Sequence, residues 1–190
     1  MKKQYSQYVK SKLKEMIPKE FPCFVFQENQ NKYGLDYNFV CQDGDNFKMI
    51  SIQNSHDENA FMIELFWSNN GTKFQNDLTY FWFEDNENIL AKICKESNKS
   101  LRVRLPIFYA RDFESWWAID PTGKIINSIK EYGFITSDAY FQFYSEDSFL
   151  SDNEDLSKEE FKEYIDPLIY NSVELLKRYA IPLFECVSDK

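Results

Sequence analysis

Tyr5, Val9, Leu13, Met16 and Ile17 recur at helical spacing with lysines between them, the pattern that puts apolar side chains on one helix face and charge on the other. Pro18 and Pro22 are expected to close this helix, because a proline ring lacks the N–H that a further turn needs. From Phe24 the apolar period shortens. Phe24 to Phe26, Tyr37 to Cys41, Phe47 to Gln53 and Phe61 to Trp67 read as four strands separated by polar breaks. Asp43-Gly44, between the second and third, marks a tight antiparallel hairpin whose two central residues are both expected to take positive φ. In the fourth run Phe61, Ile63, Leu65 and Trp67 share one face while Met62, Glu64 and Phe66 share the other. A strand apolar on nearly both faces is central or covered on both sides.

Asn69-Asn70-Gly71 reads as a turn, Leu78 to Phe83 as another strand, and Asn88 to Lys99 as a helix with Ile89, Leu90, Ile93 and Cys94 on one side. Leu101 to Tyr109 alternates, and Pro106 belongs at an edge, a bulge or the limit of that strand. Trp116 to Ile119 is a further short strand whose two tryptophans point to opposite faces. Lys124 to Tyr132 is helical and stops at Gly133, a natural cap. Ser157-Lys158-Glu159-Glu160 matches a capping box. Asp166-Pro167 then kinks that helix or starts an abutting one that ends near Tyr179, and Ile181 to Val187 adds a strand or docks into the core. Strands joined by short turns, with helices at the ends, predict an α+β fold over 1–190 as a single domain: an antiparallel β-sheet of about five to seven strands covered by N- and C-terminal helices.

A chain of 190 residues buries roughly 70% of its unfolded surface as one domain. Aromatic residues make up 18%, which supplies enough burial area to fold the whole length despite low mean hydropathy. The formal net charge of −9 opposes non-specific nucleic-acid binding, since neutralising phosphates takes an excess of Lys and Arg. Six lysines lie in the first twenty residues, where they are expected to form the wet side of the helix. No export signal or membrane span is visible, which predicts a cytoplasmic protein without membrane contact. Cys23, Cys41, Cys94 and Cys186 have no close spacing, so reduced, buried thiols are expected rather than a zinc site.

Candidate chemistry is sparse. His56, the only histidine, sits in a turn-rich segment beside Asp57 and Glu58, where an exposed loop residue outweighs a general base. Asp43 and Asp45 begin like a calcium loop but lack the later ligands. The five glycines lie far apart, which excludes a phosphate-binding loop. Glu160-Phe161-Lys162 has the letters of a nuclease site on what reads as an ordinary helix surface. Arg102 and Arg104 share a strand face and are suited to a carboxylate or phosphate, or to ion pairs with the protein's own acid. No catalytic residue, metal site or cofactor is expected.

The most uneven charge lies between Thr136 and Asp166, where ten carboxylates face two lysines and an aromatic run, Tyr140, Phe141, Phe143, Tyr144 and Phe149, leads into the acids. Such a surface attracts and anchors a basic protein. Tyr144, Glu146, Asp147, Phe149, Asp152, Glu154 and Asp155 are the expected partner-binding residues.

Gln53, the following Asn54-Ser55, the strand Phe61 to Trp67 and the sequence Tyr179-Ala180-Ile181-Pro182-Leu183 resemble an uncharacterised bacterial domain-of-unknown-function family, with Ala180 where that family usually has Gly. The resemblance touches about a third of the chain, implies a bacterial α+β domain and carries over no catalytic residue. In general character the chain is also similar to bacterial toxin-immunity proteins. Two functions are expected from different classes. One is a non-enzymatic binding domain, an immunity-type inhibitor that occupies a basic site of a toxin or other partner. The alternative is a small-ligand-binding or hydrolytic enzyme with a pocket near Arg102, Arg104 and His56.

Overall fold

The first helix, α1 (Lys3–Glu20), buries Tyr5, Val9, Leu13 and Ile17 completely along one stripe. The computed structural model describes residues 1–28, 35–55, 58–70, 79, 81, 83–84, 87–111, 115–145 and 155–188, without the side chains of 35, 36, 144 and 145. Pro18 lies inside α1 rather than ending it; near the C-terminus a missing N–H costs one bond, and the helix closes where the Phe21 N–H reaches the Ile17 carbonyl.

Four strands follow: β1 (Val25–Glu28), β2 (Leu35–Asp43), β3 (Asn46–Asn54) and β4 (Ala60–Ser68). They pair antiparallel in that order, and β5 (Ser100–Arg104) continues the sheet beyond β4, while the two-residue β6 (Trp117–Ala118) pairs with β4 at its start. Among the described residues the sheet thus has six strands, with β4 paired along both edges, as its two-sided apolar pattern requires. The β2–β3 hairpin closes at Asp43 and Asn46. Of its two central residues only Gly44 has positive φ, at 58°, so the glycine leads the turn instead of following an aspartate in the same conformation.

Helices supply the rest: α2 (Ile89–Glu96), the short α3 (Ile107–Ala110), α4 (Lys124–Tyr132), α5 (Ser137–Ser145), α6 (Lys158–Tyr164), α7 (Asp166–Leu175), a π-helical turn (Leu176–Ala180) and α8 (Ile181–Ser188). Pro106 ends β5 and opens α3, so the alternating stretch after Leu105 is helical, not extended. The apolar tail is also a helix, α8, which buries Leu183, Phe184 and Val187. Capping of α6 by Ser157 and Glu160 takes the reciprocal form expected of a capping box.

One sheet face, carrying Ile50, Ile52, Ile63, Leu65 and Trp67, joins α1, α7 and α8 in the main core. Val40, Phe47, Met49 and Phe66 form a separate buried cluster on the other face. Trp117 stacks on Phe61 with ring centres 5.5 Å apart and donates to Asn171 Oδ1 at 3.2 Å, while Asn171 Nδ2 donates to the Gly133 carbonyl at 2.8 Å. A single buried amide therefore fixes β6, α7 and the end of α4 relative to one another.

Candidate functional site

Strand register decides the fate of the two paired arginines. Glu64 lies opposite Arg104 across β4 and β5, and Phe66 lies opposite Arg102. Side chains at such positions share a face. The fully buried Glu64 carboxylate accepts from Arg102 Nε at 3.1 Å and Nη2 at 2.8 Å through Oε2, and from Arg104 Nε at 3.3 Å through Oε1. Arg102 also lies 5.2 Å from the centre of the Phe66 ring. Next to Glu64 on β3, Ser51 donates to Asn38 Oδ1 at 2.8 Å, which continues a polar row across an otherwise apolar face. Both guanidiniums are thus turned onto an internal acid. His56 lies outside the described residues.

A second arrangement occupies the helical half. Ser128 Oγ donates to the Phe134 carbonyl at 3.0 Å and accepts from the Thr136 N–H at 2.9 Å, while Thr136 Oγ1 accepts from the Ala139 N–H at 3.3 Å. These bonds fix the turn between α4 and α5. The two helices enclose a groove of about 490 Å³ bordered by Glu131, Tyr132, Asp138 and Gln142, with Lys124 at one side. Tyr132 is 53% exposed on α4 and Phe141 is 61% exposed on α5. The hydrogen bond that the Tyr132 hydroxyl donates to the Glu131 carboxylate raises the phenol above its ordinary value, so the hydroxyl stays protonated and neutral.

The expected anchors separate on inspection. Tyr140 and Phe143 are buried in the main core, because residues three apart on α5 face the same way and the helix turns this pair inward. Phe141 between them is the ring left outside. Tyr144 belongs to α5, but its side chain lies outside the described residues, as do Glu146, Asp147, Phe149, Asp152 and Glu154. Asp155 is described, exposed, and bonded to Lys2 at 3.1 Å. Other cations of the basic N-terminus likewise meet the protein's own acid: Lys10 pairs with Glu28, and Lys12 with Asp166 at 3.6 Å. Sequence reasoning passed over Tyr132, Glu131, Asp138 and the exposure of Phe141. Their signal was the α4 pattern together with helical spacing in the aromatic run.

Cysteine usage also departs from expectation. Cys94 on α2 and Cys186 on α8 form a disulfide across a sequence separation of 92, with Cα atoms 6.0 Å apart. Cys23 and Cys41 are free, the first exposed and the second buried. Burial, followed by a hydrogen bond with Cys23, pushes the Cys41 thiol up to about 12. Among the described residues no group of three or more His, Cys, Asp or Glu is placed to hold a metal ion, and no helix is long and apolar enough to cross a membrane.

Comparison of the chain with protein-family models, with curated proteins and with solved structures finds no match.

Proposed function

We propose that this chain is a non-enzymatic binding domain of the bacterial cytoplasm that docks a basic protein partner, in its specific form an immunity-type inhibitor occupying the basic site of a toxin. The observation that carries the reading is the α4–α5 groove, bordered by the exposed Tyr132 with Glu131 and Asp138, while α5 also carries the exposed Phe141. Exposed rings give an interface its buried anchors, and the carboxylates select a cationic partner and steer its approach. In sequence α5 is followed by the acidic segment 146–155, whose carboxylates are the others that this reading assigns to the partner. Inhibition here is steric and electrostatic, with no bond made or broken.

A photo-crosslinker placed at position 141, used in cells of the native organism, tests the idea. A basic protein should be trapped, and Glu131→Lys with Asp138→Lys should slow its association at low salt by about tenfold or more. Unchanged association after both reversals would refute the electrostatic reading. The cytoplasmic assignment has its own test, because the Cys94–Cys186 disulfide favours an oxidising compartment. Counting free thiols in protein trapped by acid from intact cells should give four if the protein resides in a reducing cytoplasm. A count of two would move it to an oxidising one.

A further inference from the structure

The chain has four arginines. Arg102 and Arg104 are bonded to Glu64. The other two, Arg111 and Arg178, are far apart in sequence yet both line one depression of about 350 Å³, together with Leu90, Phe108, Tyr109 and Tyr179. Neither is in a salt bridge with a carboxylate among the described residues. Arg111 donates from Nη1 to the Glu84 carbonyl at 3.0 Å and from Nη2 to the Glu87 carbonyl at 3.3 Å, contacts that orient the guanidinium without neutralising it. Arg178 lies 5.3 Å from the centre of the Tyr179 ring. The neighbouring Lys177, by contrast, is held by Glu20 at 3.3 Å and Glu174 at 3.0 Å.

One carboxylate, Glu87, also borders the depression. Its carboxylate accepts from Lys92 Nζ at 3.0 Å and from the Glu84 N–H at 3.1 Å, and the lysine bond, then the Glu84 N–H and, last, the charge of Arg111 hold it below the usual range. The local balance is therefore cationic in a chain whose net charge is −9. The apolar part of the wall is aromatic. Phe108 and Tyr179 stack with ring centres 5.6 Å apart and planes inclined by 16°, and Tyr109 lies 6.3 Å from Tyr179.

Both arginines are aimed by irregular backbone. Arg111 is the one non-glycine residue with positive φ among those described, at 52°, and Arg178 and Tyr179 sit in the π-helical turn that separates α7 from α8. A π-turn rotates the following side chains away from the positions a regular helix would give them. The Cys94–Cys186 disulfide joins α2, whose first turn lines the depression with Ile89 and Leu90, to α8, which follows directly on the π-helical turn that carries Arg178 and Tyr179. In the oxidised chain these two segments are thus tethered before any ligand arrives, which lowers the ordering cost of binding.

We infer that this depression binds a small aromatic oxyanion: a phosphate or carboxylate group received by Arg111 and Arg178, carried on a flat ring that packs against Phe108, Tyr109 and Tyr179. Two guanidiniums match the oxygens of such a group, and stacked rings favour a planar body over an aliphatic one. This surface is separate from the acidic groove between α4 and α5.

The test is a titration of the full oxidised chain, followed by NMR of the arginine Nε–H and tyrosine ring signals, with phenyl phosphate, inorganic phosphate and phenol as separate probes. Phenyl phosphate should give saturable shifts at Arg111, Arg178 and Tyr179. Inorganic phosphate and phenol should each bind at least about tenfold more weakly, since each lacks one half of the recognition. Arg178→Gln should weaken phenyl phosphate by about tenfold or more, with unchanged thermal stability, because Arg178 is exposed and makes no hydrogen bond among the described residues. Arg111→Gln should weaken it similarly, and Lys14→Gln, on the outer face of α1, should leave it unchanged. Absence of saturable shifts at millimolar phenyl phosphate, full binding by Arg178→Gln, or equal affinity for inorganic phosphate or phenol would each overturn the assignment.

Discussion

Glu64→Gln is the sharpest probe of what holds the sheet together. The substitution keeps the shape of the side chain and removes the charge from a position with no solvent exposure. Three guanidinium donors, at 2.8, 3.1 and 3.3 Å, now reach that carboxylate. The arginine side chains are only 21% and 14% exposed, so water recovers little of what the carboxylate supplied. Removing one member of a buried ion cluster costs about 3–5 kcal/mol, a large share of the roughly 5–15 kcal/mol that holds an ordinary domain folded. At this chain length about 2–4 °C of Tm goes with each kcal/mol, so a fall of about 10 °C is expected. Urea unfolding should report the same loss as a lower midpoint at constant slope. Combining Glu64→Gln with Arg102→Gln should cost less than the sum of the two changes, with a coupling of about 1–3 kcal/mol. A single substitution within about 1 kcal/mol of the parent, or strict additivity, would show that the cluster is ornamental.

Four further outcomes follow from the cysteines and from Gly133. Alkylation of the native oxidised protein should modify Cys23 and spare Cys41, whose thiol is buried and raised to about 12; mass spectrometry reads the site. Because that folded value lies above the ordinary thiol value of 9.0, between 9.0 and about 12 the folded state retains a proton that the unfolded state has lost, and this contribution to stability declines as pH rises through that window. Replacing Cys94 and Cys186 together by Ser should lower stability by about 2–4 kcal/mol, since the bond closes a long loop in the unfolded chain; a chemical-denaturation curve matching the parent would contradict this. Gly133→Ala should cost about 1–2 kcal/mol although a Cβ there meets open space, because φ is +80°; calorimetry on the variant decides it.

The legible parts of the fold were those that short-range chemistry dictates. The α1 stripe, the β2–β3 hairpin, the Gly133 stop and the Ser157 capping box all depend on residues within a few positions of one another. The six-strand antiparallel sheet with helices from both ends of the chain followed from their order. What failed was set by distant partners or by ambiguity of period. Ile181 to Val187, read as a further strand or a segment docked into the core, does dock, and only its helical form, α8, went unread, because the run is too short for alternation and helical spacing to be told apart. Tyr140 and Phe143 were read with the acids that follow them, whereas their three-residue spacing belongs to a buried helix face. A disulfide spanning 92 positions leaves no local trace. For the sites, Glu64 was visible as an acid in an apolar strand and Arg102 and Arg104 as a pair, but only the β4–β5 register joins them. Arg111 and Arg178 carry no shared motif at all, and it is tertiary packing that brings them to one depression.

The two proposed surfaces meet the same run of packed rings. Tyr132, on the rim of the acidic groove, lies 6.5 Å from Phe134, Phe134 lies 5.5 Å from Tyr109, and Tyr109 lies 6.3 Å from Tyr179 in the arginine-lined depression. Contact alone transmits nothing: energy passes between sites only where the connecting side chains have two arrangements that the ligands favour unequally. If the rings have them, linkage makes the effect reciprocal, so an aromatic oxyanion that changes partner affinity by some factor must itself be bound tighter or weaker by that factor in the presence of partner. Phe134→Leu retains an apolar side chain and breaks the ring sequence at its middle. Measuring phenyl phosphate affinity with and without the trapped partner, in the parent and in this variant, should give a factor different from one in the parent that collapses toward one in the variant. A factor of one in both would make the groove and the depression independent devices on a shared scaffold, and a factor that survives Phe134→Leu would route the coupling through α7 and the π-helical turn instead.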